Sequence, residues 1–366
     1  MTQALLPEGF RDRLPPEAES CARLLRTVLD SVAAHGYRRV QPPLAEYEDS
    51  LAAWLDHPVG PALLRASDPL SGRSLALRPD ITGQIARIAA TRLADAPRPL
   101  RLCYGGAVLR ARGTDIEPAR ERTQAGAELV GADSVAAVRE VLGVAIEALE
   151  AAGVEDLSVD LTLPDLVEAL ARGPWPVADW RAVASALDGK DAGALAALGA
   201  TRYAPLLEAA GPAAAALERL DALALPFPEL LAHTRALAEA FLDRRVTIDP
   251  TERHGFEYQS WIGFSLFGAA RGSRIRHEIG RGGAYRVRHP DGHSEAAVGF
   301  SLYIDPLAEA GLGSQAERRI LLAPGTPPDE GARLRAQGWV TVAALDGSTT
   351  AEAMDCQASW RDGKIC

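Results

Sequence analysis

The chain has 366 residues, 47% hydrophobic and 24% charged, an ordinary globular balance with length enough for two or three domains. A net charge of -10 excludes the broad basic surface on which strong non-specific nucleic-acid binding depends, although a local basic patch stays compatible with it. Cys21, Cys103, Cys356 and Cys366 are scattered without a CxxC pair, so neither a structural zinc site nor a disulfide framework is expected, and no metal or cofactor is. No uninterrupted apolar run reaches the roughly 18 residues of a membrane helix, and the N-terminus lacks the order of a signal peptide; a soluble cytoplasmic protein is expected. Lysine stands at 190 and 364 alone, with arginine elsewhere, which reads as genome composition.

In chain order, Leu24, Leu25, Val28, Leu29 and Val32 recur at helical spacing across 17–35, with Gly36 as the stop. A short proline-broken strand follows from Tyr37. Ser74–Leu77 alternates as a strand, and Arg78-Pro79-Asp80-Ile81-Thr82 turns into a helix carrying Ile81, Ile85, Ile88 and Leu93. Leu100–Tyr104, Val108–Arg110 and Thr123–Val130 read as strands, and Asp133 or Ser134 caps a helix that Gly153 ends. Leu157–Leu163 alternates again. From Pro164 to about Asp243 the composition turns Ala/Leu-rich with helical periodicity, the mark of a helical insertion. Sheet signals return at Phe256–Phe267, Ser273–Ile279, Ala284–Arg288 and Ala296–Leu302, and a short β-α-β tail closes the chain. Strands clustered at hairpin spacing favour an α+β fold, a mainly antiparallel sheet flanked by helices. The expected domains are two parts of one core at 1–163 and 246–310, the insertion at 164–245, and the tail at 311–366.

The stretch Leu102–Arg110 followed by Arg120–Gly131 is the most informative. Gln124 and Glu128 lie four apart on one strand and so share a face, with Arg110 close by. An amide, a carboxylate and a guanidinium suit a small zwitterion such as an amino acid. The plain alternatives are a solvated polar pair and a structural Arg110–Glu128 salt bridge. Gly280, Gly282 and Gly283 read as a bulge or tight turn. His289 and His293 sit in a Pro-Asp-Gly turn and read as solvated loop residues rather than metal ligands.

This stretch resembles motif 2 of the class II aminoacyl-tRNA synthetases, and the histidyl enzymes above all. Leu6–Asp12, the motif 1-like Gln41–Glu46, Arg78–Thr82 and Gly280–Tyr285 resemble further blocks of that family, in order, across about 5–307. The resemblance implies a class II synthetase-like core that dimerises through motif 1. It also implies a histidine pocket built from Asp80, Thr82, Arg110, Gln124, Glu128, Tyr258 and Tyr285. The departures fall on catalysis. Class II activation builds charge on a phosphate and needs preplaced arginines. Arg112 stands where an acidic residue would hold adenine; Gly299–Pro306 has no motif 3 arginine; His254 stands where a catalytic arginine belongs, and Ala284 and Arg286 replace an arginine and an aspartate. About 60 residues follow motif 3, short for an anticodon-binding domain. Binding groups kept while catalytic groups are lost is the pattern of the synthetase-like regulatory family that partners the short-form ATP phosphoribosyltransferase catalytic subunit. The resemblance therefore implies a non-catalytic regulatory subunit acting at the first step of histidine biosynthesis, with histidine as feedback effector, a homodimer within a hetero-oligomer, and no tRNA or membrane partner. Histidine sits either in the synthetase-like pocket or at a subunit interface. The rival readings are a divergent histidyl-tRNA synthetase and a protein that binds another amino acid.

Overall fold

A computed structural model describes residues 5–51, 53–55, 63–114, 117–253 and 259–366. The chain forms two compact units, Met1–Gly313 and Ser314–Cys366.

The first unit is built on a ten-stranded sheet. Its centre holds β1 (Leu100–Leu109), β2 (Glu121–Val130), β3 (Glu155–Thr162), β4 (Gln259–Ala270), β5 (Gly280–Arg288) and β6 (Ser294–Tyr303). They lie in the order β1-β2-β6-β5-β4-β3, antiparallel at every step. Arg38–Arg39 adds in parallel beside β1 and Arg245–Asp249 in parallel beside β3. The mainly antiparallel sheet expected from the sequence is thus present.

Alternation gives this sheet two different faces. One face of β2 carries Ala125, Ala127 and Leu129, which join Phe264, Leu266, Val298, Phe300 and Leu302 in the main core. That core is covered by α1 (Glu17–Ala34) and α3 (Val135–Ala151), whose apolar stripes include Leu24, Val28 and Val32, and Val138, Val141, Leu142 and Leu149. The Ser134 hydroxyl accepts from the Ala137 amide at 3.3 Å and caps α3, a contact of about 1 kcal/mol. The opposite face of β2 carries Gln124, Gly126 and Glu128, over which α2 (Thr82–Ala90) is set. A three-stranded sheet (Ala45–Tyr47, Leu64–Ser67, Ser74–Leu77) is tied to α2 by Glu46, which pairs with Arg87 at 2.6 Å and accepts from Gln84 at 2.8 Å.

β1 is one unbroken strand, not the two expected around Gly105-Gly106. These glycines make room rather than a turn. A Cβ at Gly105 would lie 2.7 Å from Leu25, and one at Gly106 would collide with the Arg78 guanidinium. Arg78 is buried there, donating to the carbonyls of Ala107 at 2.8 Å and Pro42 at 3.0 Å.

Helices Leu166–Arg172, Trp180–Asp188, Ala192–Ala197, Ala204–Glu208, Ala213–Ala222 and Pro228–Ala240 occupy the Ala/Leu-rich stretch. In the second unit, Arg318–Leu322 is flanked in parallel by Trp339–Ala343 and Ala358–Arg361. Ile320, Leu322 and Trp360 pack with Leu334 of the helix Pro328–Ala336.

Candidate functional site

The site lies on the sheet face that carries Gln124 and Glu128. Register across the strands places Glu128 beside Gly299, Gly299 beside Gly283 and Gly283 beside Gly263. Three neighbouring strands therefore carry no side chain along one row, and the sheet has a trough in its floor. A Cβ at Gly299 would collide with the Glu128 carboxylate, and one at Gly283 would lie 2.5 Å from the Ile262 carbonyl. Gly280, Gly282 and Gly283 all sit within β5, so of the bulge or tight turn expected there the turn is absent, while the pairing of β4 with β5 is irregular between Gln259 and Gly263, opposite Gly283–Tyr285. Close approach, not a reversal of the chain, requires the glycines.

One hydrogen-bond network lines the trough. Asp80, just ahead of α2, accepts from the Thr82 amide at 2.7 Å and from the Gln124 side-chain amide at 2.6 Å. Gln124 also donates to the Ser301 hydroxyl at 2.6 Å and accepts from the Ile81 amide at 3.1 Å, so both ends of its amide are used. Glu128 is held by two tyrosines: Tyr104 donates to one carboxylate oxygen at 3.1 Å and Tyr285 to the other at 2.9 Å. Thr82 and Tyr104 hydroxyls lie 3.3 Å apart and close the ring of contacts. Gln124 and Glu128 are each 1% exposed, which rules out a solvated polar pair.

Burial pushes the Glu128 carboxyl up to about 8, against the opposing hydrogen bonds from Tyr285, Thr82 and Tyr104. Burial also raises Asp80, against hydrogen bonds from Gln124 and Thr82 and a weaker attraction to Arg110. Burial drives the Tyr104 hydroxyl well above its ordinary range, so it donates as a neutral phenol. A buried carboxyl held by tyrosine hydroxyls can take an N–H group or a cation as a further partner.

Glu128 makes stability depend on pH. The unfolded carboxyl ionises near pH 4.3, whereas the folded one keeps its proton to about 8, so the unfolded chain binds fewer protons in between. Stability therefore falls as pH rises through that window. Glu128→Gln cannot ionise, and its melting temperature is expected to exceed the wild type's by about 3 °C or more at pH 8 but not near pH 4.5. An offset that stays constant across this range would show that Glu128 is ionised in the folded protein.

Of the residues singled out from sequence, Asp80, Thr82, Gln124, Glu128 and Tyr285 come together here. Tyr258 lies outside the described residues. Arg110 does not pair with Glu128. Its guanidinium lies 3.4 Å from Glu117, which Arg122 also holds at 2.6 Å. Arg110 follows the last residue of β1, where the chain leaves the sheet, and the nearer carboxylate takes it. Sequence reasoning missed Tyr104, Ser301 and Gln259, which donates to the Gly282 carbonyl at 2.7 Å. Tyr104 was within reach, because it alternates in phase on β1 and faces Gly126.

The segment that resembles motif 3 is different. Asp305 accepts from the Thr123 amide at 2.7 Å and pairs with Arg13, and Pro306, also buried, follows it. The His289 ring is buried rather than solvated: its side chain is 7% exposed, it lies 2.9 Å from Glu295, and it stacks on His293 at 3.9 Å. Among the described residues no cluster of three or more His, Cys, Asp or Glu side chains is arranged to hold a metal, and no helix is long and apolar enough to cross a membrane.

An antiparallel sheet of this order, with a buried polar network beside a helix N-terminus, is the class II aminoacyl-tRNA synthetase-like architecture, and the histidyl-tRNA synthetase family model matches residues 9–307. A solved structure from Bacillus halodurans described as an ATP phosphoribosyltransferase regulatory subunit/histidyl-tRNA synthetase superposes with a TM-score of 0.78 at 26% identity, covering 97% of each chain. Two relatives named ATP phosphoribosyltransferase regulatory subunit cover nearly all of the sequence. The one from Rhodospirillum centenum is 43% identical over 100% of this chain and 96% of its own length. The one from Paramagnetospirillum magneticum is 44% identical over 94% and 91%. The chain belongs to the ATP phosphoribosyltransferase regulatory subunit family, a non-catalytic branch of the histidyl-tRNA synthetase fold.

Proposed function

We propose that this chain associates with a short-form ATP phosphoribosyltransferase catalytic subunit, is required for its activity at the first step of histidine biosynthesis, and conveys feedback inhibition by free histidine bound in the trough. The observation that carries the reading is the division of the site. The amino-acid side keeps a buried, fully hydrogen-bonded set in Asp80, Thr82, Gln124, Glu128 and Tyr285. On the nucleotide side, Arg110 and Arg122 are both engaged by Glu117. A phosphate arriving there must compete with Glu117 for both arginines, and with no motif 3 arginine to add to them adenylation loses much of the electrostatic stabilisation on which it depends.

The planar imidazole suits the glycine floor, with a ring nitrogen toward Glu128 and the ammonium toward Asp80. Feedback requires histidine to bind one conformation of the complex better than the other, since equal affinity shifts nothing. A homodimer formed through the motif 1-like segment 41–46 within a hetero-oligomer completes the proposal, and tRNA has no part in it. The test is phosphoribosyl-ATP formation by the catalytic chain with and without this protein. In parallel, ATP–pyrophosphate exchange with histidine is expected to be absent; readily measured exchange would restore the synthetase reading.

A further inference from the structure

A free amino acid brings three groups to a site: a side chain, an ammonium and a carboxylate. The trough provides for the first two with Glu128 and Asp80, both acidic. A carboxylate that leaves water for a buried pocket is costly to hold unless a cation faces it. Arg110 is turned to Glu117 at the end of β1. Among the described residues that line the narrow pocket over the glycine row, Arg281 is the one cationic side chain.

Register fixes where Arg281 stands. It lies on β5 two residues before Gly283, on the same face, and opposite Ser301 of β6. Glu128 is opposite Gly299, two strands away and one row along. Two strand spacings of about 4.8 Å and one two-residue repeat of about 6.7 Å separate their Cα atoms by roughly 12 Å. Glu128 and Arg281 line the same narrow pocket from opposite ends of the bare glycine row. The Arg281 guanidinium is mostly buried and meets Glu278 through Nε and, at 2.8 Å, through Nη2, while Glu278 also accepts from Ser265 at 3.2 Å. Arg281 is thus presented as a fork whose carboxylate partner comes from the same chain.

Resting on the trough reading above, we infer that Arg281 is the specificity-determining residue for the ligand's carboxylate, which it receives in exchange for, or alongside, Glu278. A fork already shaped around one carboxylate accepts another with little reorganisation. The arrangement selects amino acids over the amines derived from them.

The test compares L-histidine with histamine, which keeps the imidazole and ammonium but lacks the carboxylate, by calorimetry on the full chain. The wild type is expected to bind L-histidine at least about tenfold tighter than histamine. Arg281→Gln is expected to weaken L-histidine by about tenfold or more while histamine stays within about twofold. Glu278→Gln, which removes the competing carboxylate, is expected to tighten L-histidine alone, and it carries the test should Arg281→Gln fail to fold. Equal losses for both ligands, or no change in their ratio in either variant, overturns the assignment of Arg281 while leaving the trough intact. A wild type that binds neither ligand overturns the trough reading and this inference with it.

Discussion

Glu128→Ala is expected to weaken L-histidine binding by about 100-fold, and the pH dependence of the wild type is expected to be bell-shaped. The free site holds Glu128 protonated up to about pH 8, and a free imidazole loses its proton near 6.5. Between those values the pair carries one proton before binding, and the complex needs one, shared between carboxylate and ring; affinity is level. Below about 6.5 both partners are protonated, one proton must leave, and affinity falls by up to about tenfold per pH unit. Above about 8 both are deprotonated, one proton must be taken up, and affinity falls again. In Glu128→Ala the limb above 8 vanishes with the carboxyl. Titrations across this range check the shape, and an affinity that climbs steadily through pH 8 would mean that Glu128 does not face the ring.

Gly299→Ala is expected to abolish histidine binding, a loss of at least about 30-fold, while the protein still folds. The added Cβ occupies the space of the Glu128 carboxylate and would lie 2.9 Å from the Ala127 carbonyl oxygen. Side chain yields before backbone, so the carboxylate swings away from Tyr285 and the trough loses both its floor and its acid. Gly299 lies in the sheet centre between β2 and β5, so some melting temperature is lost as well. Calorimetry with L-histidine and a thermal melt check both parts; unaltered affinity would place the ligand elsewhere.

These effects show what a single sequence makes legible. Gln124 and Glu128 stand four apart within one strand, so period-two geometry alone puts them on one face. Asp80 and Thr82 likewise announce a helix start. The glycine row could not be read in this way, because Gly263, Gly283 and Gly299 meet only through the register of three strands. Gly105-Gly106 looked like a break because the side chains that need the space, Leu25 and Arg78, arrive from distant segments. Arg110 admits either a ligand contact or a salt bridge to Glu128 from sequence, whereas in the fold Glu117 takes it once the strand ends. Arg281 lies inside the Gly280–Tyr285 block, but nothing in the chain set it apart from the glycines around it. Its importance rests on facing the same trough as Glu128, a fact of tertiary structure.

The most direct measurement of the regulatory reading is the rate of phosphoribosyl-ATP formation by the short-form catalytic chain from the same organism, alone and with this protein, as histidine is titrated. The predicted result is little activity from the catalytic chain alone, strong activity with this protein added, and progressive suppression by histidine that Glu128→Ala blunts. An unchanged rate with no complex formed would contradict the account.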